Sequence, residues 1–378
     1  MSDNKIYDFT AKTFHGLEKI LASELKKIGA FEIKTGRRAV SFKGNKETMY
    51  RANYEIRTAL NILQKITDFK ANSSEELYKK TKSINWKDYI NINDTFSIDK
   101  TVYSDIHKHS QFAALKTKDA IADFFTENFK KRPSVNIKNP DKKINLHISG
   151  NKCTISIDTS GDSLFKRGYR AAKGPAPLNE VLAAGIVMLS DYKGIEYFFD
   201  PMCGSGTILI EAARIFMEIP PLYGRKNFGF HKFPDYDYQL WNKVKRNAEK
   251  KINKDIQIKI IGTDIDPELV KIALKNISES GLRHHITVHN KDFLNTKFEN
   301  RKGLIITNPP YDERIKSSDI NKLYKETGDT LKKGYKNWSA YIFSGNLNAV
   351  KHFGLKPSQK SELYNGKIEC RLIKYDIF

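Results

Sequence analysis

The chain has 378 residues, of which 39% are hydrophobic, and its mean hydropathy is −0.55. This length suits two or three domains, and no apolar run approaches the roughly 18–20 residues that a bilayer span requires. The three cysteines, Cys153, Cys203 and Cys370, are too scattered for a metal site or a disulfide framework. The amino terminus also lacks a signal-peptide pattern, so we expect a cytoplasmic protein with no membrane or metal partner.

Basic residues dominate the charge of the chain. Sixty-five Lys and Arg stand against 44 Asp and Glu, which gives a net charge of +21 and a pI near 9.5. Because phosphate contacts from Lys and Arg dominate nucleic-acid affinity, this excess favours a polyanionic partner. A compositional bias towards Lys is the alternative, and charge alone does not separate RNA from DNA or from a ribosomal surface.

The first segment alternates strand and helix patterns in the order βαββαβ. Strand patterns occupy residues 5–13, the two runs FEIKT and RAVSFKG, and residues 57–69, whereas amphipathic helix patterns occupy residues 16–29 and 45–56. This order is that of a ferredoxin-like unit. We therefore predict an N-terminal ferredoxin-like domain over residues 1–69.

Residues 70–160 read as a second α+β module. Helix patterns occupy SSEELYKKTKSI and residues 110–129, and strand patterns occupy residues 95–104, 144–150 and 152–160. The segment KKRPSVNIKNPDKK between them is basic and rich in turn residues. No catalytic motif is legible in this module, so its basic surface favours a binding role, with an ordinary solvated surface as the alternative.

From residue 161 onward, a loop rich in glycine, proline and basic residues leads into a helical run, LNEVLAAGIVMLSDY. The following stretches, YFFDPMCGSGTILIEAARIF and IKIIGTDIDPELVKIALKNISESG, each read as strand, turn and helix. Strands that alternate with helices are typical of a doubly wound, mostly parallel sheet. We predict such an α/β domain over residues 161–378, interrupted by an aromatic and basic insertion at residues 217–251.

The turn DPMCGSGT, residues 200–207, joins the first strand of this domain to a helix. Gly204 and Gly206 allow a ligand to approach the backbone closely, and the helix N-terminus favours an electronegative group. The turn matches neither the G-x-G-x-x-G dinucleotide fingerprint nor a phosphate-binding P-loop. A ligand that carries a carboxylate and an adenosine fits at least as well.

Acidic residues follow the next two strands. Asp264 and Asp266 end the second strand, where a carboxylate is placed to bind ribose hydroxyls, and we favour Asp264 because it follows the apolar run directly. Asp292, with Phe293 beside it, ends the third strand and is placed for adenine. Each acid alone is a common helix N-cap, but acids at three successive strand ends favour a single ligand site.

The fourth strand ends in Asn308-Pro309-Pro310-Tyr311. The Asn308 side-chain oxygen and a proline carbonyl can accept both hydrogens of an exocyclic amino group, which localises charge on its nitrogen during an in-line methyl transfer. The prolines stiffen these acceptors, and the Tyr311 ring offers a face for a flipped base. A plain turn is the alternative for the tetrad.

Taken together, these motifs resemble the class I S-adenosylmethionine-dependent methyltransferases that carry a THUMP RNA-binding domain, and the 23S rRNA guanine-N2 methyltransferases in particular. The resemblance covers nearly the whole chain. It rests on LFKRGYR, APLNEVLAAG, DPMCGSGTILIEAA, GTDIDP, NPPYDER and LYKETGDTLK. The resemblance implies that residues 70–160 are the THUMP domain and that residues 161–378 are the catalytic domain.

The resemblance also implies particular site residues. Those around the methionine part of the cofactor would be Asp200, Met202, Cys203, Gly204, Gly206 and Thr207. Those around its ribose and adenine would be Asp264, Ile265, Asp266, Asp292 and Phe293, with Asn308 close by. Those that hold the target amino group would be Asn308, Pro309, Pro310 and Tyr311, and those that face RNA would be Arg167, Tyr169, Arg170 and Arg314. Some family members carry a second methyltransferase domain, and we expect none in this chain.

The resemblance favours N2 methylation of a guanosine in 23S rRNA, within free RNA or a ribosome assembly intermediate. Guanosine methylation in tRNA by the same fold is the closest alternative. Adenine-N6 methylation of DNA is less favoured, because the N-terminal module is of an RNA-binding type. A non-catalytic RNA-binding scaffold is least favoured, because both the glycine turn and Asn308 are intact.

Overall fold

The computed structural model describes residues 5–172, 177–193, 195–298, 301–310 and 317–378. Within them, the N-terminal part of the chain forms one eight-stranded sheet and the C-terminal part forms a second sheet with seven strands. The first sheet contains the two N-terminal modules and the second belongs to the C-terminal domain, and the predicted α/β fold class is confirmed.

The first six elements have the predicted βαββαβ order. They are β1 (Tyr7–Lys12), α1 (Glu18–Lys27), β2 (Phe31–Gly36), β3 (Ala39–Gly44), α2 (Lys46–Glu55) and β4 (Asn61–Lys70). Asn45, directly before α2, is the N-cap of this helix, because its side chain accepts the Thr48 N–H at 3.0 Å. Residues 57–60, predicted as part of β4, instead form the turn that precedes it.

The second module contributes two further helices and four strands. They are α3 (Ser74–Lys82), β5 (Thr95–Tyr103), α4 (Ser110–Phe129), β6 (Ser134–Val135), β7 (Lys142–Ser149) and β8 (Lys152–Asp158). The short β6 lies within the basic segment for which only turns were predicted. Because β4 pairs antiparallel with β8, both modules share one sheet of order β2-β3-β1-β4-β8-β7-β5-β6.

The C-terminal domain has the predicted doubly wound arrangement. Its sheet has the order β11-β10-β9-β12-β13-β15-β14, with parallel pairing from β11 to β13 and antiparallel pairing for β15 and β14. The elements are α5 (Glu180–Met188), β9 (Tyr197–Asp200), α6 (Thr207–Phe216), α7 (Tyr238–Glu249), β10 (Lys259–Asp264), α8 (Pro267–Glu279), β11 (Ile286–Asn290), β12 (Gly303–Thr307), α9 (Ser317–Gly334), β13 (Ser339–Ser344), β14 (Gln359–Asn365) and β15 (Ile368–Asp376).

The central strand β12 shows why this sheet is buried on both faces. All five of its residues are buried, as expected for an apolar run in a parallel sheet covered by helices. At its first residue, Gly303, an added Cβ would lie 2.4 Å from the Trp338 ring. The strand is therefore fixed by packing on both sides and ends at the sheet edge where Asn308 follows.

The insertion at residues 217–251 packs against the N-terminal domain. Its side chains Phe228, Phe230 and Trp241 are buried in one cluster with Tyr50 and Tyr54 of α2. The Trp241 ring lies 5.9 Å from the Tyr50 ring and 5.4 Å from the Tyr54 ring. These aromatic residues of the insertion therefore join the two halves of the protein.

Candidate active site

The candidate site lies where the order of the parallel strands reverses. In the sheet, β9 has β10 on one side and β12 on the other, so the connections from β9 and from β12 diverge at this point. Ligands of open α/β sheets bind at the carboxyl ends of the strands beside such a reversal. Asp200 ends β9, Asp264 ends β10 and Asn308 follows β12, so the predicted residues meet at one edge.

The glycine loop between β9 and α6 has the conformation that its glycines predict. Gly204 and Gly206 have φ values of +53° and +78°, which L side chains disfavour. The Cys203 N–H donates to the Thr263 carbonyl at 2.9 Å, and the Gly206 N–H donates to the Cys203 carbonyl at 2.9 Å. At Gly204, an added Cβ would meet no described atom within 4 Å, so the space beside this backbone is open to a ligand.

Asp200 is a buried carboxyl at the base of this loop. It is 1% exposed, and burial raises its pKa to about 7, although the Met202 N–H donates to its Oδ1 at 3.3 Å and opposes that shift. Burial likewise raises the pKa of the Cys203 thiol, which therefore stays protonated. Asp200 is thus a group whose charge a cationic ligand would stabilise.

Asp264 ties the end of β10 to the glycine loop. Its Oδ2 accepts the Gly204 N–H at 2.8 Å, and its Oδ1 accepts the Asp266 N–H at 3.0 Å. Burial raises its pKa despite these two bonds. Asp266 caps α8 by accepting the Glu268 N–H at 2.8 Å, while Ile265 between the two acids is 69% exposed. The choice between Asp264 and Asp266 for ribose remains a prediction.

The next strand end differs in part from the expectation. Asp292 caps a short helical turn, since its Oδ1 accepts the Leu294 N–H at 3.0 Å. Phe293 is only 3% exposed, and its ring packs 6.2 Å from the Phe199 ring and 5.7 Å from the Tyr335 ring. Because the Phe293 ring belongs to the core, Asp292 is the side chain of this pair that is left at the sheet edge.

Asn308 offers an acceptor that the described structure leaves unused. Its Oδ1 is buried and has no hydrogen-bond partner among the described residues. Buried polar atoms are nearly always hydrogen-bonded, so an orphaned acceptor at a strand end calls for a ligand or water as partner. Pro309 is buried and Pro310 is exposed. Tyr311 and Arg314 lie outside the described residues, and their predicted roles stay predictions.

The expectation that Arg167 and Tyr169 face RNA is not met by the structure. The Arg167 side chain is 0% exposed and Tyr169 is 2% exposed, so neither reaches the surface. Arg170 is largely buried as well: its Nε donates to Glu180 Oε1 at 2.9 Å, and its Nη2 donates to Thr207 Oγ1 at 3.4 Å. This motif, RGYR, therefore makes internal contacts, because its arginines find buried carboxylates and carbonyls.

Asn276 is a supporting residue that the sequence analysis missed. Its Oδ1 accepts the N–H groups of Ala171 and Ala172 at 3.1 and 3.0 Å, and its Nδ2 donates to the carbonyls of Ala172 and Ser205 at 3.2 and 3.1 Å. It therefore ties the two residues that follow RGYR to the glycine loop. The sequence could have indicated this residue, because Asn276 is an amide on the otherwise apolar buried face of α8 that Ala273 and Ile277 share.

Two structural features are absent from the part of the chain that the structure describes. Within it, no helix is both long and apolar enough to cross a bilayer. Within the same residues, no group of three or more His, Cys, Asp or Glu side chains is arranged to hold a metal ion.

Family models match three consecutive parts of the chain. The RlmL ferredoxin-like domain matches residues 8–63, the THUMP domain matches residues 71–158, and the RMKL-like methyltransferase domain matches residues 167–374. The last of these alone covers more than half of the chain.

Similar proteins agree with these models. The ribosomal RNA large subunit methyltransferase K/L of Methylococcus capsulatus is 38% identical over 98% of this chain and 51% of its own length, so the chain spans about half of such relatives. The putative RNA methyltransferase slr0064 of Synechocystis is 33% identical, with 100% of both chains covered. A crystal structure of SMU.472, a putative methyltransferase complexed with SAH, superposes with a TM-score of 0.90 at 32% identity and 99% coverage of each chain. The chain therefore belongs to the RMKL-like methyltransferase family, with a ferredoxin-like and a THUMP domain before the catalytic domain.

Proposed function

We propose that this protein transfers a methyl group from S-adenosylmethionine to the exocyclic N2 amino group of a guanosine in 23S rRNA. One observation carries the proposal. The buried Oδ1 of Asn308 has no partner among the described residues, and it follows β12, the neighbour of the strand that leads into the glycine loop. An unused acceptor beside a cofactor loop is what a target amino group requires.

The site residues fit S-adenosylmethionine. The buried carboxyl of Asp200, with its raised pKa, and the open space beside Gly204 suit a ligand that carries an ammonium group and needs close backbone approach. Its methionine part would lie along Asp200, Met202, Cys203, Gly204, Gly206 and Thr207. Its ribose and adenine would lie along Asp264, the exposed Ile265, Asp266, Asp292 and the backbone of Phe293. The bound cofactor supplies an electrophilic methyl group.

The protein's part in the reaction is to hold the target amino group. Asn308 Oδ1 and the Pro309 carbonyl would accept its two hydrogens, so that electron density stays on nitrogen and points towards the methyl group. Pro309 and Pro310 restrict the backbone, which keeps the acceptors in place before the base arrives. Tyr311 is proposed to stack on the flipped base. No strong general base is needed, since the nitrogen loses its proton after the transfer.

RNA is the proposed partner because of the charge and the N-terminal modules. A net charge of +21 favours a polyanion, and the THUMP domain is an RNA-binding type of module. Relatives named for the large ribosomal subunit favour 23S rRNA, either free or in an assembly intermediate. The cytoplasm is the compartment in which such a substrate is met. Guanine N2 rests on the resemblance of the motifs, and Arg314 remains a candidate for RNA contact.

The second candidate is methylation of tRNA by the same site. Asn308 would accept hydrogens from any exocyclic amine, so the clamp itself does not select between the RNAs or exclude adenine N6. The DNA alternative is disfavoured by the THUMP domain, and the scaffold alternative is disfavoured by the intact glycine loop together with the unused acceptor of Asn308.

The test is a map of modified nucleosides in RNA from a strain that lacks this gene. Loss of N2-methylguanosine from 23S rRNA, restored by the wild-type gene and not by an Asn308→Ala copy, is the expected result. Loss of the modification from tRNA alone would replace the proposed substrate by tRNA. An unchanged profile in both RNAs would overturn the proposal.

A further inference from the structure

An arginine of the N-terminal domain reaches into the catalytic domain. Arg57 lies in the turn after α2, where Glu24 accepts its backbone N–H at 2.8 Å and the Thr58 N–H at 3.1 Å. Its Nη2 donates to the carbonyls of Arg214 and Ile219, at 3.1 and 2.7 Å, near the end of α6. The turn is therefore fixed on one side by Glu24 and on the other side by the catalytic domain.

The RGYR segment completes this junction. Arg167 Nη2 donates to the Arg57 carbonyl at 2.5 Å, and its Nη1 donates to the Leu164 carbonyl at 2.8 Å. Arg167 Nε lies 3.8 Å from Glu211 Oε1, and the Tyr169 hydroxyl donates to the same oxygen at 2.9 Å. The side chains of Arg167 and Glu211 are both 0% exposed. One buried carboxylate thus holds two residues of the segment.

The cluster formed by Arg57, Arg167, Arg214 and Glu211, called here the junction cluster, is not built for stability. Three guanidinium groups share it with Glu211, and each of the four side chains has one buried atom without a hydrogen-bond partner among the described residues. Buried ion clusters of this kind are often no more stabilising than apolar packing of similar volume. What the cluster supplies is direction, because three of its hydrogen bonds cross between the domains and require one relative orientation of them. These are the bonds from Arg57 Nη2 to the carbonyls of Arg214 and Ile219 and the bond from Arg167 Nη2 to the Arg57 carbonyl.

Helix α6 connects the cofactor loop to the junction cluster, since Glu211 lies at the middle of this helix and Arg214 lies in its last turn. Helix α6 begins at Thr207, directly after the glycine loop, and ends at Phe216 next to the Arg57 contacts. A helix of ten residues is about 15 Å long and stiff on this scale. The orientation of the N-terminal sheet is therefore set against the element that carries the cofactor loop.

We propose that Arg57 and Glu211 are positioning residues, which hold the RNA-binding modules in one orientation to Asn308 so that RNA bound by these modules presents its target nucleotide to the amino-group clamp. The proposal rests on the proposed function, because it takes RNA as the ligand of the N-terminal modules. It predicts that loosening the junction cluster impairs turnover more than it impairs the binding of either ligand.

The first test measures orientation without any activity. Nitroxide labels at Lys108→Cys and Lys275→Cys, two exposed positions in the two halves, report the distance between them by pulsed electron paramagnetic resonance. Cys153, Cys203 and Cys370 are buried, which favours labelling at the introduced sites. We expect a narrow distance distribution in the parent and in the exposed control Arg283→Met, and a broadened one in Arg57→Met. An equally narrow distribution in Arg57→Met would overturn the proposal.

The second test separates binding from turnover on unmodified 23S rRNA. In Arg57→Met, the dissociation constants for this RNA and for S-adenosylhomocysteine should stay near those of the parent. The value of kcat at saturating RNA should fall by about 100-fold, the loss typical of a misplacement of about 1 Å. Arg57→Lys, which can still donate to the carbonyls of α6, should recover part of kcat. If Arg57→Met instead weakened the binding of both RNA and S-adenosylhomocysteine and left kcat unchanged, Arg57 would have a merely structural role and the proposal would be wrong.

A second variant covers the case in which Arg57→Met does not fold. Glu211→Gln keeps the shape of the side chain and removes its charge, and it should broaden the same distance distribution and lower kcat. The experiments distinguish a failure of the proposed function from a failure of the proposed positioning role. A parent enzyme that does not methylate 23S rRNA contradicts the proposed function, whereas the distance measurement still supports or overturns the positioning role.

Discussion

The backbone N–H of Gly204 donates to the carboxylate of Asp264 at 2.8 Å, and this bond joins the glycine loop after β9 to the end of β10. A residue expected to bind ribose therefore also shapes the loop that approaches the methionine part. The two halves of the candidate cofactor site are thus one hydrogen-bonded unit, and a change at Asp264 should be felt by both.

Asp264→Ala should weaken cofactor binding. The N–H groups of Gly204 and Asp266, both in partly buried bonds, would lose their acceptor, and the glycine loop would lose its tie to β10. We expect the affinity for S-adenosylhomocysteine, measured by calorimetry, to fall by about tenfold or more. Asp266→Ala is the comparison variant, since the described contact that it removes is the N-cap of α8, which stabilises by about 1 kcal/mol. A loss of affinity in Asp266→Ala alone would assign the ribose contact to Asp266.

Asn308→Ala removes the proposed acceptor of the target amino group and should therefore slow methyl transfer. We expect kcat to fall by about 10²–10³, as for the loss of one preorganised electrostatic contact, while cofactor affinity stays within a few-fold. The control is Asn295→Ala, an exposed asparagine near the same sheet edge, which should behave like the parent. Full activity of Asn308→Ala in a methyl-transfer assay would remove the clamp from the mechanism.

Asp200 should make stability depend on pH. Burial raises its pKa to about 7, so the folded protein binds its proton more tightly than the unfolded chain, whose Asp pKa is about 3.9. The contribution of this proton to the free energy of unfolding is fully present below the pKa of Asp in the unfolded chain. It is lost as pH rises through about 7, the pKa of Asp200 in the folded protein. In denaturant titrations, Asp200→Asn should flatten the dependence between pH 5 and 8. An identical pH dependence in variant and parent would refute this role.

Trp241→Ala should destabilise the protein at the aromatic interface between the insertion and the N-terminal domain. Trp241 is 6% exposed and packs on Tyr50 and Tyr54, and loss of a buried Trp side chain typically costs about 3–5 kcal/mol. Tyr238→Ala on the same helix is the control, because Tyr238 is 67% exposed. Equal urea midpoints for the two variants would show that this interface contributes little.

Periodicity and turn residues were sufficient for much of the fold. The βαββαβ order, the helix at Ser110–Phe129 and the strand–loop–helix units around Asp200 and Asp264 all follow from local pattern, and the structure has them. The strands β13, β14 and β15 were not predicted, and β6, with two residues, is too short to leave a pattern. The edge location of Asp200, Asp264 and Asn308 was predictable because the C-terminal ends of parallel strands meet at one side of a sheet.

Long-range burial is what the sequence did not reveal. Arg167 and Tyr169 were expected to face RNA because of the resemblance of their motif, but Glu211, 42 residues after Tyr169, supplies the partner that permits burial. Phe293 was expected beside adenine because it follows Asp292 at a strand end, whereas Phe199 and Tyr335 pack against its ring. In each case, the deciding neighbour is distant in sequence, so no local pattern carries it.

The pairing of β4 with β8 runs from Leu63 opposite Asp158 to Lys70 opposite Lys152, with one irregularity. The ferredoxin-like and THUMP units therefore share a single hydrogen-bond ladder, although family models divide them at residues 63 and 71. A chimera spliced between these residues would keep its ladder only if the incoming strand matched the pitch, twist and irregularity of β4, and an unmatched strand would leave two open edges prone to aggregation. For engineering, the described residues 5–158 should therefore be exchanged together as one unit.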